Sequence, residues 1–286
     1  MYKRQVDDTL AGFTEKNDDG TYNMQGAAVT IDNNTGYVVA IVGGRDQDFN
    51  SYTLNRAFQS HRQPGSSIKP LIVYTPAFER GYDPNTIVDD HKFEGGPSNA
   101  TNTYAGKIPL RYAVAKSLNT VAWQVYEQVT PKVGLQYLKN MNFSSIVKDD
   151  YTLATSLGGF TKGVSPLEMA SAYAALENDG MFRQPNCIKS IVDADENVVY
   201  SSQMAEVSIY EKDATRTMTD VLTTVMDSGT GAALKLSNMP CAGKTGTTND
   251  HKDGWFVGYT RYYTTSVWVG CDYPKSISNL LSLIHI

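Results

Sequence analysis

Runs of β-branched residues lie at the two ends of this chain, and helical periodicity fills what lies between. Gly26-Ala27-Ala28-Val29-Thr30-Ile31-Asp32 and Tyr37-Val38-Val39-Ala40-Ile41-Val42-Gly43 are separated by Asn33-Asn34-Thr35-Gly36, which has the chemistry of a hairpin turn. Lys244–Thr248, Gly254–Tyr259 and Thr264–Cys271 read as strands near the other end. From Ile68 to Asn178 helical patterns dominate, with apolar residues at three- and four-residue spacing over Leu110–Glu127 and Pro166–Leu176. Pro185–Tyr200 reads as a small extended segment with a turn at Asp195-Glu196-Asn197. Ala214, Met218, Val221, Leu222, Val225 and Met226 make one helix face, which Gly229 can stop. The expected fold is therefore α+β. One central antiparallel sheet of about five strands is built from both ends of the chain and flanked by helices, with a helical subdomain inserted. The active site is expected where the helical part meets the edge strand carrying Lys244-Thr245-Gly246.

Composition narrows the function. A chain of 286 residues can bury a full core. Its net charge of −5 offers no basic footprint, so nucleic acid is not an expected partner. Cys187, Cys241 and Cys271 are widely spaced with no C-x-x-C pair, which argues against a disulfide framework and a zinc site; no metal or other cofactor is expected. No run of 18 apolar residues occurs, and Met1–Asp7 has no apolar export core. Asp7 to Phe13 reads as a short amphipathic helix through Val6, Leu10 and Phe13, before the polar break Lys16-Asn17-Asp18-Asp19-Gly20.

Three clusters carry chemistry. Ser66 and Lys69 are three residues apart and share one face of a helix. Pro70 lacks an N–H, which a helix tolerates only in its first turn, so the helix is expected to start near Ser66. The hydroxyl then sits at the positive end of the helix dipole. A lysine that is buried, or close to another cation, can titrate near neutrality and act as a base, and Lys244 could be that second cation. In the second cluster, Ser117-Leu118-Asn119, Ser117 can relay a proton between Lys69 and a leaving nitrogen, and Asn119 can hydrogen-bond a substrate amide. The third is Lys244-Thr245-Gly246-Thr247. There Gly246 removes a side chain where a substrate backbone must approach. Thr245 and Thr247 supply hydroxyls and Lys244 a charge for a carboxylate. The N–H groups of Ser66 and Thr247 could together form an oxyanion hole. Serine acyl transfer needs these parts: an activated hydroxyl, a base, an oxyanion hole and a proton for the leaving amine.

Competing signals are weak. Ser145-Ile146-Val147-Lys148 repeats the Ser-x-x-Lys spacing and reads as a solvated helix end. Gly229-Thr230-Gly231 lacks the third glycine and the preceding strand of a dinucleotide loop, and reads as a helix-ending turn. His61, His91, His251 and His285 lie in no G-x-S-x-G or H-E-x-x-H context. Trp255, Phe256 and Trp268 are expected in the core of the last two strands.

The three clusters, in this order, are the motif set of the penicillin-binding protein and serine β-lactamase superfamily. From about Met24 to Asp272 the chain resembles the transpeptidase domain of class A penicillin-binding proteins, the bifunctional peptidoglycan synthases. The segments that carry this are Gly36–Arg45, Asn55-Arg56-Ala57, Arg62–Pro70, Leu110–Thr120, Gly158–Tyr173 and Gly243–Tyr259. Ile68 stands where members usually have Phe. The resemblance implies a β-lactamase/transpeptidase-like fold and a D,D-transpeptidase. Its serine would take a D-Ala-D-Ala stem peptide as donor, release D-Ala and pass the acyl group to an amine acceptor on a neighbouring strand. β-Lactam antibiotics would acylate the same serine. The resemblance also implies an extracytoplasmic enzyme, held at the membrane only by parts outside these residues. Residues 1–23 are then expected to be the remnant of an inter-domain linker, 24–280 the transpeptidase domain, and 281–286, which lack turn chemistry or a cap, a non-native tail. A missing C-terminal helix is expected to leave one sheet face exposed. A serine β-lactamase uses the same clusters, but the E-x-x-L-N segment that supplies its deacylation base in class A enzymes is absent. A non-catalytic penicillin-sensing receptor domain would keep the clusters without turnover.

Overall fold

The computed structural model describes residues 2–47 and 53–277. It begins with α1 (Tyr2–Thr9), β1 (Met24–Asp32) and β2 (Val38–Val42). Tight turns at Gly65–Ile68 and wide ones at Pro70–Tyr74 lead into α2 (Thr75–Phe78). A hairpin of β3 (Ile87–Asp90) and β4 (Gly106–Pro109) precedes α3 (Leu110–Ala115), α4 (Asn119–Val129), α5 (Pro131–Asn140) and α6 (Pro166–Glu177). Next come β5 (Met181–Arg183), β6 (Ser190–Val192), β7 (Val198–Ser201) and β8 (Glu206–Ser208), paired β5 with β8 and β6 with β7. The chain then forms α7 (Lys212–Ser228), β9 (Ala242–Thr247), β10 (Asp253–Tyr259) and β11 (Tyr263–Cys271).

The expected sheet is present. Its order is β2-β1-β11-β10-β9, antiparallel at every pairing, so both ends of the chain supply strands and β9 lies at the edge. Period-two alternation divides β1 between two cores. Ala27, Val29 and Ile31 face the main core, with Trp255, Val257 and Trp268 and with Met169 and Tyr173 of α6. Met24 and Ala28 face a smaller cluster with Val267, Val269 and Cys271. α6 opens with Ser165 as N-cap and Glu168 completing a capping box.

Several expectations change. The smaller cluster is closed by Val6 and Leu10 of the α1 segment and by Ile277, so this part of the outer sheet face is covered and not exposed. The first helix runs Tyr2–Thr9 and not Asp7–Phe13; Gly12 would have weakened the interior of the latter. Leu110–Glu127 is two helices, broken at Lys116–Leu118, where Ser117 takes a left-handed φ of 57°. The stretch Ile68–Asn178 is also interrupted by the β3–β4 hairpin. Ser145 is buried, its hydroxyl donating to the Gly163 carbonyl, so Ser145–Lys148 is not a solvated helix end. Phe256 is only half-buried, because its ring lies over Gly243 and Gly258 on the outer face of the sheet. Residues 281–286 lie outside the described residues.

Candidate active site

The first cluster is shaped by Pro70. An α-helix would use the N–H of residue 70 to satisfy the Ser66 carbonyl, and proline has none. The Lys69 N–H bonds that carbonyl instead, which tightens Gly65–Ile68 into a 3₁₀ turn. After it the Thr75 N–H reaches back to the Pro70 carbonyl, widening the helix over Pro70–Tyr74. Ser66 lies in the first turn as expected and is half-buried. Lys69 is fully buried, and its Nζ donates to the Ser117 carbonyl at 2.9 Å, to Leu118 O at 3.4 Å and to Asn119 Oδ1 at 2.8 Å.

The second cluster sits between α3 and α4. The N–H groups of Ser117 and Leu118 close on the carbonyls of Val114 and Ala113, and the left-handed Ser117 turns the chain. Leu118, the N-cap of α4, has no side-chain acceptor. Asn99 supplies one from the β3–β4 loop, its Oδ1 accepting from Asn119 N at 2.8 Å and Thr120 N at 3.3 Å. Buried Asp90 holds Asn99 Nδ2 at 2.7 Å and accepts the Thr120 hydroxyl. Both ends of the Asn119 amide are engaged, Oδ1 by Lys69 and Nδ2 by the Ser98 carbonyl at 2.9 Å. A substrate amide would compete with Ser98. Sequence reasoning missed this group, since nothing local in 90–99 marks residues that act about 20 positions later.

The third cluster lies on β9. Lys244 is fully buried, and its Nζ donates to Ser117 Oγ at 2.9 Å and to Thr245 O at 3.1 Å. The Ser117 hydroxyl therefore faces Lys244, while Lys69 meets its carbonyl. A Cβ on Gly246 would strike the Pro64 carbonyl and come within 3.0 Å of Ser67 N. The glycine thus makes room for the chain's own Gly65–Ile68 turn, and not only for a substrate as its sequence position suggests. Gly65, with φ of 53°, packs in turn on the Thr247 backbone. Thr248 N donates to Asp253 O at 3.1 Å across the ladder with β10, so Thr247, one residue earlier, turns its N–H to the free edge of β9, beside Gly65 and Ser66. Thr245 is nearly buried, with Oγ1 at 2.8 Å from Thr230 Oγ1, a residue sequence reasoning left in a helix-ending turn.

The two lysines differ from ordinary surface lysines. Burial, with the Lys244 cation added to it, pushes the Lys69 amine well below its usual range. Burial alone lowers Lys244 to about 7. Two ammonium groups sharing one dry site are unfavourable, so one neutral amine beside one cation is the preferred state.

The loop ahead of Ser66 is fixed on three sides. Arg62 Nε donates to Asp253 Oδ1 at 2.8 Å, a largely buried ion pair. Asp253 Oδ1 also accepts Trp268 Nε1 at 3.0 Å. Trp255 Nε1 donates to the Gln63 carbonyl at 2.9 Å, and Tyr173 Oη to Ser67 O at 2.5 Å. The two tryptophans are buried as expected, and their indole N–H groups also set the position of the loop.

Comparison with known proteins assigns the fold to a family. The family model for the penicillin binding protein transpeptidase domain matches residues 26–273. Penicillin-binding protein 4 of Bacillus subtilis (strain 168) is 36% identical over 265 residues, covering 91% of this chain and 42% of that protein. Penicillin-binding protein 1A of Aquifex aeolicus (strain VF5) is 36% identical over 269 residues, covering 91% of this chain and 36% of that protein. The PonA1 protein of Mycobacterium tuberculosis, solved in complex with penicillin V, superposes with a TM-score of 0.81 at 25% identity, over 98% of this chain and 80% of that one. The chain therefore belongs to the penicillin-binding protein transpeptidase family. It spans less than half the length of the curated relatives it matches.

Proposed function

We propose that this chain is the acyl-transferring domain of a D,D-transpeptidase that cross-links peptidoglycan stem peptides, and that β-lactams acylate the same serine. The observation that carries the reading is the meeting of two buried lysines on Ser117, one at its carbonyl and one at its hydroxyl, beside the turn that starts at Ser66. Membership of the family supports the peptide chemistry. Neutral Lys69, which keeps two N–H for the Ser117 carbonyl and Asn119 Oδ1, takes the Ser66 proton through its lone pair as Oγ attacks the carbonyl between the two terminal D-Ala residues. The N–H groups of Ser66 and Thr247 receive the developing oxyanion. Lys244 and Ser117 return a proton to the departing D-Ala amine. Lys244, Thr245 and Thr247 receive the terminal carboxylate, and Asn119 the peptide amide. An amine of a neighbouring stem then attacks the ester and frees Ser66. By the same resemblance the transpeptidase domain comprises residues 24–280, with Val6 and Leu10 packed on its sheet, and works at the outer face of the bacterial membrane. Among the described residues no helix is long and apolar enough to cross a membrane.

The test is intact-mass analysis of the purified protein with a fluorescent penicillin, then with a D-Ala-D-Ala peptide and an amine acceptor. The expected results are a long-lived adduct on the wild type, none on Ser66→Ala, and an amide product with the peptide. An adduct on Ser66→Ala would overturn the nucleophile. Rapid loss of the adduct with many penicillins hydrolysed would establish the β-lactamase reading, and adduct without peptide turnover the receptor reading.

A further inference from the structure

The turn that ends α7 touches the third cluster and the segment that leads into the second. Thr230 N donates to the Ala115 carbonyl at 3.1 Å, and Lys116 Nζ donates to Ser228 O at 2.9 Å. A Cβ on Gly229 would strike the Ala115 carbonyl, so the turn lies directly on the segment leading into Ser117. From that turn the Thr230 hydroxyl reaches β9, 2.8 Å from Thr245 Oγ1. Thr230 is exposed, whereas Thr245 is 8% exposed. A surface hydroxyl therefore meets the nearly buried hydroxyl of the Lys-Thr-Gly strand, on a backbone fixed to the Ser117 loop.

We infer that Thr230 is a positioning residue for carboxylate recognition: its hydroxyl donates to Thr245 Oγ1 and so leaves the Thr245 proton aimed at the terminal carboxylate of the ligand. The inference rests on the function proposed above. A hydroxyl has one proton and two acceptor sites, so the direction of the Thr230–Thr245 bond decides whether the Thr245 proton is free. Two hydroxyls in series also polarise one another toward an anion. A carboxylate strengthens the bond it accepts, so it selects the arrangement in which Thr245 donates outward. Because Thr230 is tied to Ala115 as well, that aim is set relative to Ser117 and not to β9 alone. Thr230 acts here through Thr245.

The experiment measures second-order acylation rates with a penicillin and with its carboxamide. Thr230→Val keeps the branched shape and removes the hydroxyl; it should slow the penicillin about 3- to 10-fold, the range of one neutral hydrogen bond, and the carboxamide less than about 2-fold. Thr230→Ser should restore the rate. In a Thr245→Val background, Thr230→Val should cost nothing further, since the two act as a unit. If circular dichroism shows Thr230→Val unfolded, Thr230→Ala takes its place with the same expectations. Equal losses on both ligands, strictly multiplying losses in the double variant, or no loss at all would overturn the inference. Wild-type protein that no penicillin acylates would instead overturn the proposed function.

Discussion

Lys244 Nζ donates to Ser117 Oγ at 2.9 Å, while Lys69 Nζ donates to the carbonyl of the same serine at 2.9 Å. The first bond joins the edge of the sheet to the turn between α3 and α4. The second holds the helix that carries Ser66 and Lys69 to that turn through the Ser117 backbone. Among the described residues, Lys244 is the lysine hydrogen-bonded to the Ser117 hydroxyl. On the function proposed above, Lys69 would serve the Ser66 proton and the Lys244–Ser117 pair the leaving group.

Substitution of Lys69 tests this division. Arginine keeps the charge but does not deprotonate near neutral pH. Lys69→Arg should lose acylation by a factor on the order of 10² or more. Stopped-flow acylation by a penicillin measures it, and a near-normal rate would remove Lys69 from the role of base.

The charge on Lys244 gives a pH signature. Burial lowers its pKa to about 7, so below that pH it is a cation and above it increasingly a neutral amine. A ligand carboxylate loses its ionic partner as pH rises, whereas an amidated ligand has no ionic partner to lose; the proton that Lys244 and Ser117 return to the leaving group is needed by both ligands and cancels in their ratio. The ratio of acylation rates, penicillin over carboxamide, should fall as pH passes upward through about 7. Effects of pH on Lys69 act on both ligands and cancel in the ratio. A ratio constant from pH 6 to pH 9 would show that Lys244 does not supply the charge.

Ser117 holds a conformation that L-residues enter at a cost of roughly 1–2 kcal/mol. Ser117→Ala and Ser117→Gly both remove the hydroxyl, but only glycine relieves the backbone. Thermal melts should place the glycine variant above the alanine variant by about 1 kcal/mol, with both slow to acylate. Equal stability of the two would show that the left-handed turn stores no strain in solution.

Much of this fold was legible because its signals are local and periodic. Val29 and Ile31, Trp255 and Val257, and the Met218–Val225 face each announce one side of an element by spacing alone. The break at Ser117 was not legible, since Lys116-Ser117-Leu118 contains neither glycine nor proline, and the left-handed φ is imposed by the closure of α3 onto α4. Pro70 forecast where the helix that carries Ser66 begins, but not that its loss of a donor would tighten one turn and widen the next. Of the site, Ser66, Lys69, Ser117 and the β9 residues could be named because their motifs are contiguous. Thr230, Asn99, Asp90 and the Arg62–Asp253 pair act across gaps of 9 to 191 residues, and single residues at such distances leave no pattern in one sequence.

Gly246 separates shape from charge in the same strand. The space a Cβ would need there is filled by the Pro64 carbonyl and the Ser67 backbone, so Gly246→Ala must push β9 away from the turn that carries Ser66. Neither obstacle is a flexible side chain, and overpacking of this kind typically costs about 1–3 kcal/mol. The shift also separates the Thr247 and Ser66 N–H groups that would share an oxyanion, and the loss of one such donor costs about 10²–10³ in rate. Gly246→Ala should therefore lower the melting temperature and slow a penicillin and its carboxamide by the same large factor. Thr245→Val, by contrast, should slow mainly the penicillin. A Gly246→Ala protein that acylates normally, or that loses rate only with the carboxylate ligand, would show that β9 and the Ser66 turn need not touch for the chemistry.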